Sequence, residues 1–178
     1  LKYVENGGNL ILSCRTGQKD KNGHFFEANW SAPIVPLIGA DVDFFDMLVT
    51  DVNGIVKAGD NNYPWNSWAD VLTPKKGTEV LATYEDQFYK GKAAAVTRKL
   101  GKGTVTYIGV ESNDGNLERQ IVRTVYTRAN VAIEELPKGV FIEWRDGFYV
   151  GVNYTSEPIN LPIPKGSKIV VGQNPLHQ

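Results

Sequence analysis

The stretch of residues 4–20 places the strongest constraint on how this chain can fold. The apolar residues before Gly7-Gly8 have helical spacing, and such a pair commonly ends a helix because glycine adopts the left-handed conformation without strain. Residues 9–14 form a short apolar run, which is typical of a strand covered on both faces, and residues 16–24 are polar. We therefore expect a helix, a strand and an exposed loop in succession. The loop leaves the carboxyl end of the strand, where open α/β sheets usually place ligand sites.

Apolar or alternating runs predict six further strands before residue 111. They are residues 42–48, 54–57, 68–72, 78–84, 93–100 and 104–110. A Gly-Lys-Gly turn joins the last two into a hairpin. Residues 25–38 predict an irregular connection with one short helix, since Pro33 and Pro36 exclude a long one. Residues 60–68 predict a polar and aromatic loop.

The longest predicted helix covers residues 117–129, where apolar side chains recur at helical spacing. The polar residues 112–114 offer its N-cap. The composition changes at residues 134–139, which indicates a linker. We therefore divide the chain into domain 1–133 and domain 134–178.

The second domain carries short apolar runs that predict a small antiparallel sheet or part of a β-sandwich. These runs are residues 140–144, 148–154, 159–163 and 168–171. The chain starts at Leu1 within the first predicted helix and stops at Gln178 without a finishing element. We therefore expect the beginning of the first domain to be missing and the second domain to be incomplete. The predicted fold class is α/β, a partial domain with a mixed sheet followed by a small antiparallel β domain.

Composition and charge exclude several classes of protein. With 42% hydrophobic and 22% charged residues, the chain has the composition of a folded globular protein. Its 19 Lys and Arg residues balance 20 Asp and Glu residues without any basic run, so we expect no nucleic-acid partner. The apolar runs are far shorter than the roughly 20 residues of a membrane helix, so we expect no membrane partner. The single cysteine, Cys14, excludes an internal disulfide, which fits a reducing compartment and equally a periplasmic protein without bridges, and we slightly favour the bacterial cytoplasm.

The motif YVENGGNLILSCRTGQKD at residues 3–20 resembles the segment that opens the middle, trimerisation domain of bacterial β-galactosidases of glycoside hydrolase family 42. Residues 101–109, with the sequence GKGTVTYIG, resemble a glycine-rich strand of that domain. Residues 137–145, with the sequence PKGVFIEWR, resemble the entry to the family's small C-terminal β domain. The resemblance thus covers most of the chain.

This resemblance implies an amidotransferase-like (flavodoxin-like) trimerisation domain at 1–133 and a β-sandwich-like domain at 134–178. In the family, the two catalytic glutamates lie in an N-terminal (β/α)₈ barrel, which finds no match here, so no catalytic residue carries over. The implied function is that of a non-catalytic fragment of an enzyme that hydrolyses terminal non-reducing β-D-galactosyl residues. Its role would be to assemble a homo-oligomer, a trimer, and to wall the active-site entrance, while the absent barrel binds the galactoside. No cofactor and no metal is implied.

Cys14 and His24 support an alternative, a stand-alone amidotransferase-like hydrolase. Amidotransferases place a catalytic cysteine at the end of a comparable strand, and here a histidine lies in the following loop. A nucleophile elbow, however, needs small residues two positions to either side, where this chain has Leu12 and Thr16. We therefore expect Cys14 to be a buried structural residue.

The candidate contact residues are three tryptophans, Trp30, Trp65 and Trp68, and two polar residues of the first loop, Arg15 and Asp20. Aromatic rings in loops stack on sugars and also anchor protein interfaces. Three interpretations stay open: the rings fill the core, they contact a neighbouring domain or subunit, or they form a carbohydrate-binding module. A metal site is not predicted, because the acidic side chains near this loop have no second histidine or cysteine beside them.

Overall fold

The computed structural model describes residues 1–27 and 29–170. The chain divides into two compact units, Leu1–Ile133 and Glu134–Gln178. Its helices are α1 (Lys2–Glu5), α2 (Val35–Ile38) and α3 (Asn116–Arg128). The strands of the first unit are β1 (Asn9–Ser13), β2 (Ala40–Asp46), β3 (Gly54–Ala58), β4 (Asn61–Pro74), β5 (Thr78–Tyr84), β6 (Ala93–Leu100), β7 (Gly103–Ile108) and β8 (Val110–Ser112). Among the described residues, no helix has the length and apolar character needed to cross a membrane.

The first unit is built on an eight-stranded mixed sheet. Its strands follow in the order β1-β7-β6-β5-β3-β4-β2, and β8 pairs with β4 beside this path. β1 and β7 are parallel, with Ser13 opposite Ile108, whereas the remaining pairs are antiparallel. Parallel strands need a long crossover connection, and here that crossover contains strands β2 to β6. The mixed sheet expected from the sequence is confirmed.

The predicted succession of helix, strand and loop at the start of the chain is confirmed. α1 is followed by Gly7 with a φ of 112°, and β1 begins at Asn9. The expectation that this strand is covered on both faces is wrong, because its residues are half-buried or exposed. The physical reason is its position, since β1 lies at one edge of the described sheet and pairs there with β7.

The predicted aromatic loop at residues 60–68 is also wrong, because residues 61–68 belong to β4, a continuous strand of 14 residues. β4 pairs with β3 in its first half, with β2 in its second half and with β8 on the way. Tyr63 and Trp65 alternate with the more exposed Pro64 and face the core. The polar residues that indicated a loop are exposed or half-buried positions of this strand.

The sheet buries a hydrophobic cluster on each face. One cluster packs α3, through Leu117 and Ile121, against strands that include β3, β4 and β5. The other packs α1 and α2, through Val4 and Ile38, against β2, β4, β6 and β7. Adjacent residues of β4 belong to different clusters, as expected where successive side chains point to opposite faces.

α2 confirms the short helix predicted within residues 25–38, and Gly39 ends it with a φ of 69°. α3 confirms the long amphipathic helix, although its N-cap differs from the prediction. The N-cap residue is Gly115, and the Asp114 carboxylate instead accepts a hydrogen bond of 3.0 Å from the backbone amide of Asn116. The reason is that the residues before Gly115 still belong to β8 and its turn.

The second unit contains one antiparallel hairpin, β9 (Val140–Arg145) and β10 (Phe148–Asn153), which turns at Asp146-Gly147. This small antiparallel sheet agrees with the expectation. The further strand predicted at 159–163 is absent, as is any strand at 168–170, while Val171 lies outside the described residues. Prolines at 158, 162 and 164 lack the backbone donor that a sheet ladder needs.

Candidate functional site: an aromatic ladder over a buried carboxylate

Four aromatic rings stack in a row on the face of the sheet that carries α2. Phe25 stacks on Trp30 at 5.8 Å, Trp30 on Phe45 at 4.8 Å, and Phe45 on Trp68 at 4.5 Å. The angles between successive ring planes are 20°, 24° and 3°. We call these four residues the aromatic ladder. The row joins the segment between β1 and α2 to strands β2 and β4.

Cations cover both ends of the aromatic ladder. The Arg15 guanidinium lies 4.8 Å from the centroid of Trp68, and the Lys19 ammonium lies 4.9 Å from that of Phe25. A cation over a ring face is attracted by the negative face of the π-system. A cleft of about 400 Å³ opens beside Trp30.

Strand pairing explains why two of these rings meet. Phe45 lies opposite Asp70 in the antiparallel pair of β2 and β4, so the two side chains share a face of the sheet. Trp68 precedes Asp70 by two residues and therefore points to the same face. The exposed fraction is 57% at Phe25, 38% at Phe45 and 9% at Trp68, while Trp30 is half-buried, so the Trp68 end of the ladder is the more buried one.

Beneath the inner end of the ladder lies Asp70, a fully buried carboxylate. One carboxylate oxygen accepts hydrogen bonds from the Tyr107 hydroxyl at 2.7 Å and from the Arg15 backbone amide at 3.2 Å. The other accepts one from the Trp68 indole N–H at 3.0 Å. These donors come from β7, from the loop that leaves β1, and from β4 itself. The carboxylate thus joins three segments at the carboxyl ends of the parallel strands β1 and β7.

The backbone of Asp70 is held as firmly as its side chain. Its amide donates to the Gly109 carbonyl at 2.6 Å, and its carbonyl accepts from the Tyr84 hydroxyl at 3.0 Å. Gly109 separates β7 from β8 within the predicted strand 104–110. A Cβ atom at this glycine would lie 2.9 Å from the Ala94 carbonyl oxygen and 3.0 Å from that of Asp70, so only glycine allows this approach.

Burial sets the electrostatics around this carboxylate. Desolvation raises the pKa of Asp70 above its ordinary value, while hydrogen bonds from Tyr107, Trp68 and Arg15 act in the opposite direction. Burial also raises the pKa of Tyr107 and Tyr84, and the Asp70 charge adds to both shifts. Both hydroxyls therefore stay protonated and remain hydrogen-bond donors.

Cys14 lies next to this group, and burial raises the pKa of its thiol to about 12, with the Asp70 charge as the next cause. A thiol with such a pKa is almost entirely protonated at neutral pH, whereas the thiolate is the nucleophile. His24 is exposed on the loop, and its backbone amide donates to the Asp20 carboxylate at 2.9 Å. That Cys14 is structural stays a prediction, and its raised pKa supports it.

Asp20 has a local role in the same loop. Its carboxylate oxygen accepts hydrogen bonds from the backbone amides of Asn22, at 2.8 Å, and His24. Such contacts with amides two and four residues ahead shape a turn. No group of three His, Cys, Asp or Glu side chains within residues 1–27 and 29–170 is arranged to hold a metal ion.

Among the candidate contact residues, Trp65 is excluded because its side chain is buried. Its side chain is fully buried and meets Tyr84 edge to face at 5.8 Å, on the opposite face of the sheet from the ladder. Its neighbour in the prediction, Trp68, does belong to the ladder together with Trp30, and Arg15 lies over the Trp68 ring. A buried ring has no surface to offer to a sugar or a subunit, so the expectation for Trp65 is corrected.

Sequence reasoning missed four residues of this site: Asp70, Tyr107, Phe25 and Phe45. Asp70 left one signal, since a carboxylate within the apolar run 68–72 requires partners when that run is buried. The phenylalanines left none, because stacking depends on strand pairing and on the path of the loop. The donors of this site all point to one carboxylate, that of Asp70. Because Asp70 is fully buried, an external substrate cannot reach it.

Comparison with known proteins places these features in a family. A protein-family profile with the description Beta-galactosidase trimerisation domain matches residues 1–133. The β-galactosidase BgaH of Haloferax lucentense is 31% identical to this chain over 173 residues, which are 97% of this chain and 26% of that protein. The chain therefore spans about a quarter of the length of the curated relatives that it matches.

Solved structures share the fold. The β-galactosidase from the Antarctic haloarchaeon Halorubrum lacusprofundi is similar with a TM-score of 0.76 and 30% identity, covering 88% of this chain and 23% of that one. The β-galactosidase of Rahnella sp. R3 has a TM-score of 0.77 at 22% identity, covering 91% of this chain and 26% of that one. At this lower identity the likeness concerns the fold alone.

Proposed function

We propose, from the premise that this chain belongs to the β-galactosidase trimerisation domain family, that it is a non-catalytic part of a β-galactosidase-type glycoside hydrolase. The family match over residues 1–133 is the observation that carries the proposal. In the proposed enzyme, residues outside this chain hydrolyse terminal β-D-galactosyl groups. The chain itself serves subunit assembly and forms part of the wall at the active-site entrance.

The aromatic ladder supports this role as a contact surface. Aromatic and arginine side chains are enriched at the centres of protein interfaces, and the outer ladder leaves Phe25 and Phe45 substantially exposed. A sugar-binding platform needs a free ring face, but Arg15 and Lys19 lie over the two end rings, and the inner rings stack on one another. The ladder therefore favours a protein contact over the carbohydrate-binding alternative. Arg15, Trp30 and Trp68 act in this contact, and Asp20 shapes the loop beside it.

Light scattering on the full-length enzyme tests the assembly role. We expect a trimer for the wild type and a shift towards monomer for Phe45→Ser, because the substitution removes an exposed ring from the ladder. Phe88→Ser is the matched control, since Phe88 is 84% exposed and stacks on Phe44 instead. A wild-type enzyme that is a stable monomer contradicts the assembly role.

Hydrolysis of a chromogenic β-galactoside tests the enzyme assignment separately. We expect the full-length protein to hydrolyse it and the 178-residue chain alone to be inactive, because the catalytic carboxyl groups lie outside this chain. An inactive full-length protein contradicts the assignment even if it forms a trimer.

Thiol labelling tests the amidotransferase alternative. With the pKa of Cys14 raised to about 12, we expect the folded chain to react with a thiol reagent at pH 7 far more slowly than the unfolded chain. Fast labelling of the folded chain would revive a nucleophilic role for Cys14.

We also propose that the first unit is part of an amidotransferase-like, flavodoxin-like domain and that the second is a small β-sandwich-like domain. The parallel pair β1–β7, with α1 before it and polar groups at its carboxyl end, supports the first assignment. The flavodoxin-like assignment predicts that a segment outside this chain adds a further parallel strand beside β1. Amide exchange at residues 9–13 should then be slower in the full-length protein than in the 178-residue chain.

A further inference from the structure

Asp70 holds the inner end of the aromatic ladder through two separate contacts. Its carboxylate accepts the indole N–H of Trp68, which fixes the orientation of the innermost ring. It also accepts the backbone amide of Arg15, whose guanidinium covers the outer face of that ring. Arg15 has a φ of 69°, a conformation that few residues other than glycine adopt, and this hydrogen bond helps to hold it there. One carboxylate therefore positions both sides of the same indole.

Trp30, two rings further along the ladder, is linked to this carboxylate through the stacked rings. Trp30 stacks on Phe45, which stacks in turn on Trp68, so a displacement of the Trp68 ring is passed on to the Trp30 ring. Trp30 Nε1 and Ser31 Oγ are buried and have no hydrogen-bond partner among the described residues.

This carboxylate does not serve hydrophobic packing, and its burial opposes folding. Desolvation is the largest influence on its pKa and favours the uncharged form. Its three donors, however, are matched to a carboxylate, because both oxygens accept and neither donates. A neutral hydrophobic residue would fill the same space at lower cost. The geometry is therefore that of a residue which orients others.

We propose that Asp70 is a positioning residue whose charge orders the aromatic ladder: the ladder is tightly held while the carboxylate is ionised and loosens when it takes up a proton. Protonation places a hydrogen on one oxygen, so the carboxyl group can no longer accept all three hydrogen bonds with the strength of a charged acceptor. The proposal concerns the ladder itself and holds whether or not the ladder contacts another subunit.

Other ionisable groups face this cluster and enter the argument. The groups that interact with Asp70, or with Cys14 and Tyr84 beside it, are Arg15 from the loop after β1, Asp46 from β2, Tyr84 from β5, Tyr89 from the following loop, Tyr107 from β7, Glu111 from β8 and Glu118 from α3. The tyrosines and Cys14 have raised pKa values and stay neutral in the acid range. The carboxyl groups need a control, which Asp46 provides.

Nuclear magnetic resonance of the ¹⁵N-tryptophan-labelled chain tests the proposal through its four indole N–H signals. We assign each signal by a Trp→Phe variant and titrate the chain from pH 8 downwards. The signals of Trp68 and Trp30 should shift together, with one midpoint above the ordinary Asp pKa of 3.8. The signals of Trp65, on the other face of the sheet, and Trp144, in the second unit, should not share this midpoint.

Two variants test whether the shared midpoint reports the protonation of Asp70. In Asp70→Asn the shared midpoint should disappear, and the Trp68 signal should move at neutral pH, because an amide offers one acceptor oxygen instead of two. Asp46→Asn is the matched control, since Asp46 accepts a tyrosine hydroxyl, that of Tyr89, at 2.6 Å, and its side chain points to the opposite face of β2 from Phe45. It should leave the shared midpoint in place.

Tyr107→Phe gives a second test if Asp70→Asn does not fold. Removing the hydroxyl takes away a hydrogen bond that lowers the pKa of Asp70, so the shared midpoint of Trp68 and Trp30 should move to higher pH. If Asp70 had a purely structural role, Tyr107→Phe would not move the shared midpoint to higher pH. The proposal is overturned if the Trp68 signal shows no midpoint in the wild type, or if its midpoint survives Asp70→Asn.

Discussion

Two aromatic clusters on opposite faces of one sheet are built in different ways. On the α3 face, Trp65, Tyr84 and Tyr89 meet edge to face, with ring centroids 5.8 and 5.0 Å apart. On the α2 face, the rings of the aromatic ladder lie nearly parallel, and cations cover both ends. Trp65 and Trp68 are only three residues apart on β4, so their side chains point to opposite faces.

The difference between the clusters shows what each ring does. The edge-to-face rings fill the core, where Trp65 and Tyr84 are fully buried and the Tyr84 hydroxyl also donates to the Asp70 carbonyl. The ladder runs out to the surface, and its inner end is anchored to a buried charge rather than to apolar neighbours alone. The cluster around Trp65 therefore contributes mainly to the stability of the fold. The ladder forms part of the surface, and the buried Asp70 carboxylate positions its inner ring.

Truncating Trp65 should produce the largest effect on stability. Trp65→Ala leaves a cavity in the core and should lower the free energy of unfolding by about 3–5 kcal/mol. Denaturant unfolding measures this loss, and Trp144→Ala, at a side chain that is 58% exposed, is the control. The ladder should stay formed, so the Trp68 indole signal should keep its position at neutral pH. A loss of less than about 1 kcal/mol would contradict the assignment of Trp65 to the core.

Asp70 should give a pH-dependent effect of intermediate size. Its pKa is raised in the folded state, so the folded chain binds this proton more tightly than the unfolded chain does. Its contribution to stability is then complete below the ordinary pKa of 3.8 and falls as pH rises through the raised value.

Asp70→Asn should remove this dependence and should cost about 1–3 kcal/mol at acid pH, because a buried donor loses its acceptor. The cost relative to wild type should be smaller at pH 7 than at pH 4, since only the wild type loses stability over that interval. Unfolding curves at the two pH values measure the difference, and an equal cost at both would contradict the raised pKa.

Phe45→Ala should cost about 2 kcal/mol, less than a fully buried phenylalanine, because this ring is 38% exposed. It also uncovers one face of Trp68, so acrylamide should quench tryptophan emission more strongly. Phe88→Ala, at a ring that is 84% exposed, should change neither quantity appreciably. Unchanged quenching in Phe45→Ala would show that the stacked arrangement does not shield Trp68.

Arg15→Gln should have the smallest effect, a loss of about 0.5–1 kcal/mol from an exposed cation–π contact. The backbone amide that binds Asp70 is retained, so the pH dependence of stability should be preserved. Arg128→Gln is the control for loss of positive charge, since Arg128 pairs with Glu79 at 2.7 Å outside the ladder. If both variants change the Trp68 signal equally, the effect is one of overall charge rather than of contact.

Several elements could be predicted from the sequence because their signals are local. The glycine pair before β1, the Gly-Lys-Gly hairpin of β6 and β7 and the apolar periodicity of α3 each lie within a few residues of one another. The resemblance to the β-galactosidase family likewise rests on continuous motifs, and the family match confirms it.

The candidate site could be predicted only in part. Arg15, Trp30 and Trp68 were recognised by residue type, and the structure brings them together in the ladder. Trp65 has the same residue type and lies close in sequence, yet it belongs to the core. Because residues 60–68 read as a loop, nothing in the sequence assigned these two tryptophans to opposite faces of a strand.

By itself, then, the sequence determined the local elements, the family and the place of the polar loop at the carboxyl end of β1. The tertiary structure alone decided which side chains meet there. Asp70 binds groups 55 and 37 residues away, and β1 pairs with a strand that follows five others. Such contacts depend on strand order and register, which are set by the simultaneous burial of many side chains and leave no signature within a short window. The segment of residues 4–20 therefore ends in a loop whose hydrogen-bond partner, Asp70, is evident only from the tertiary structure.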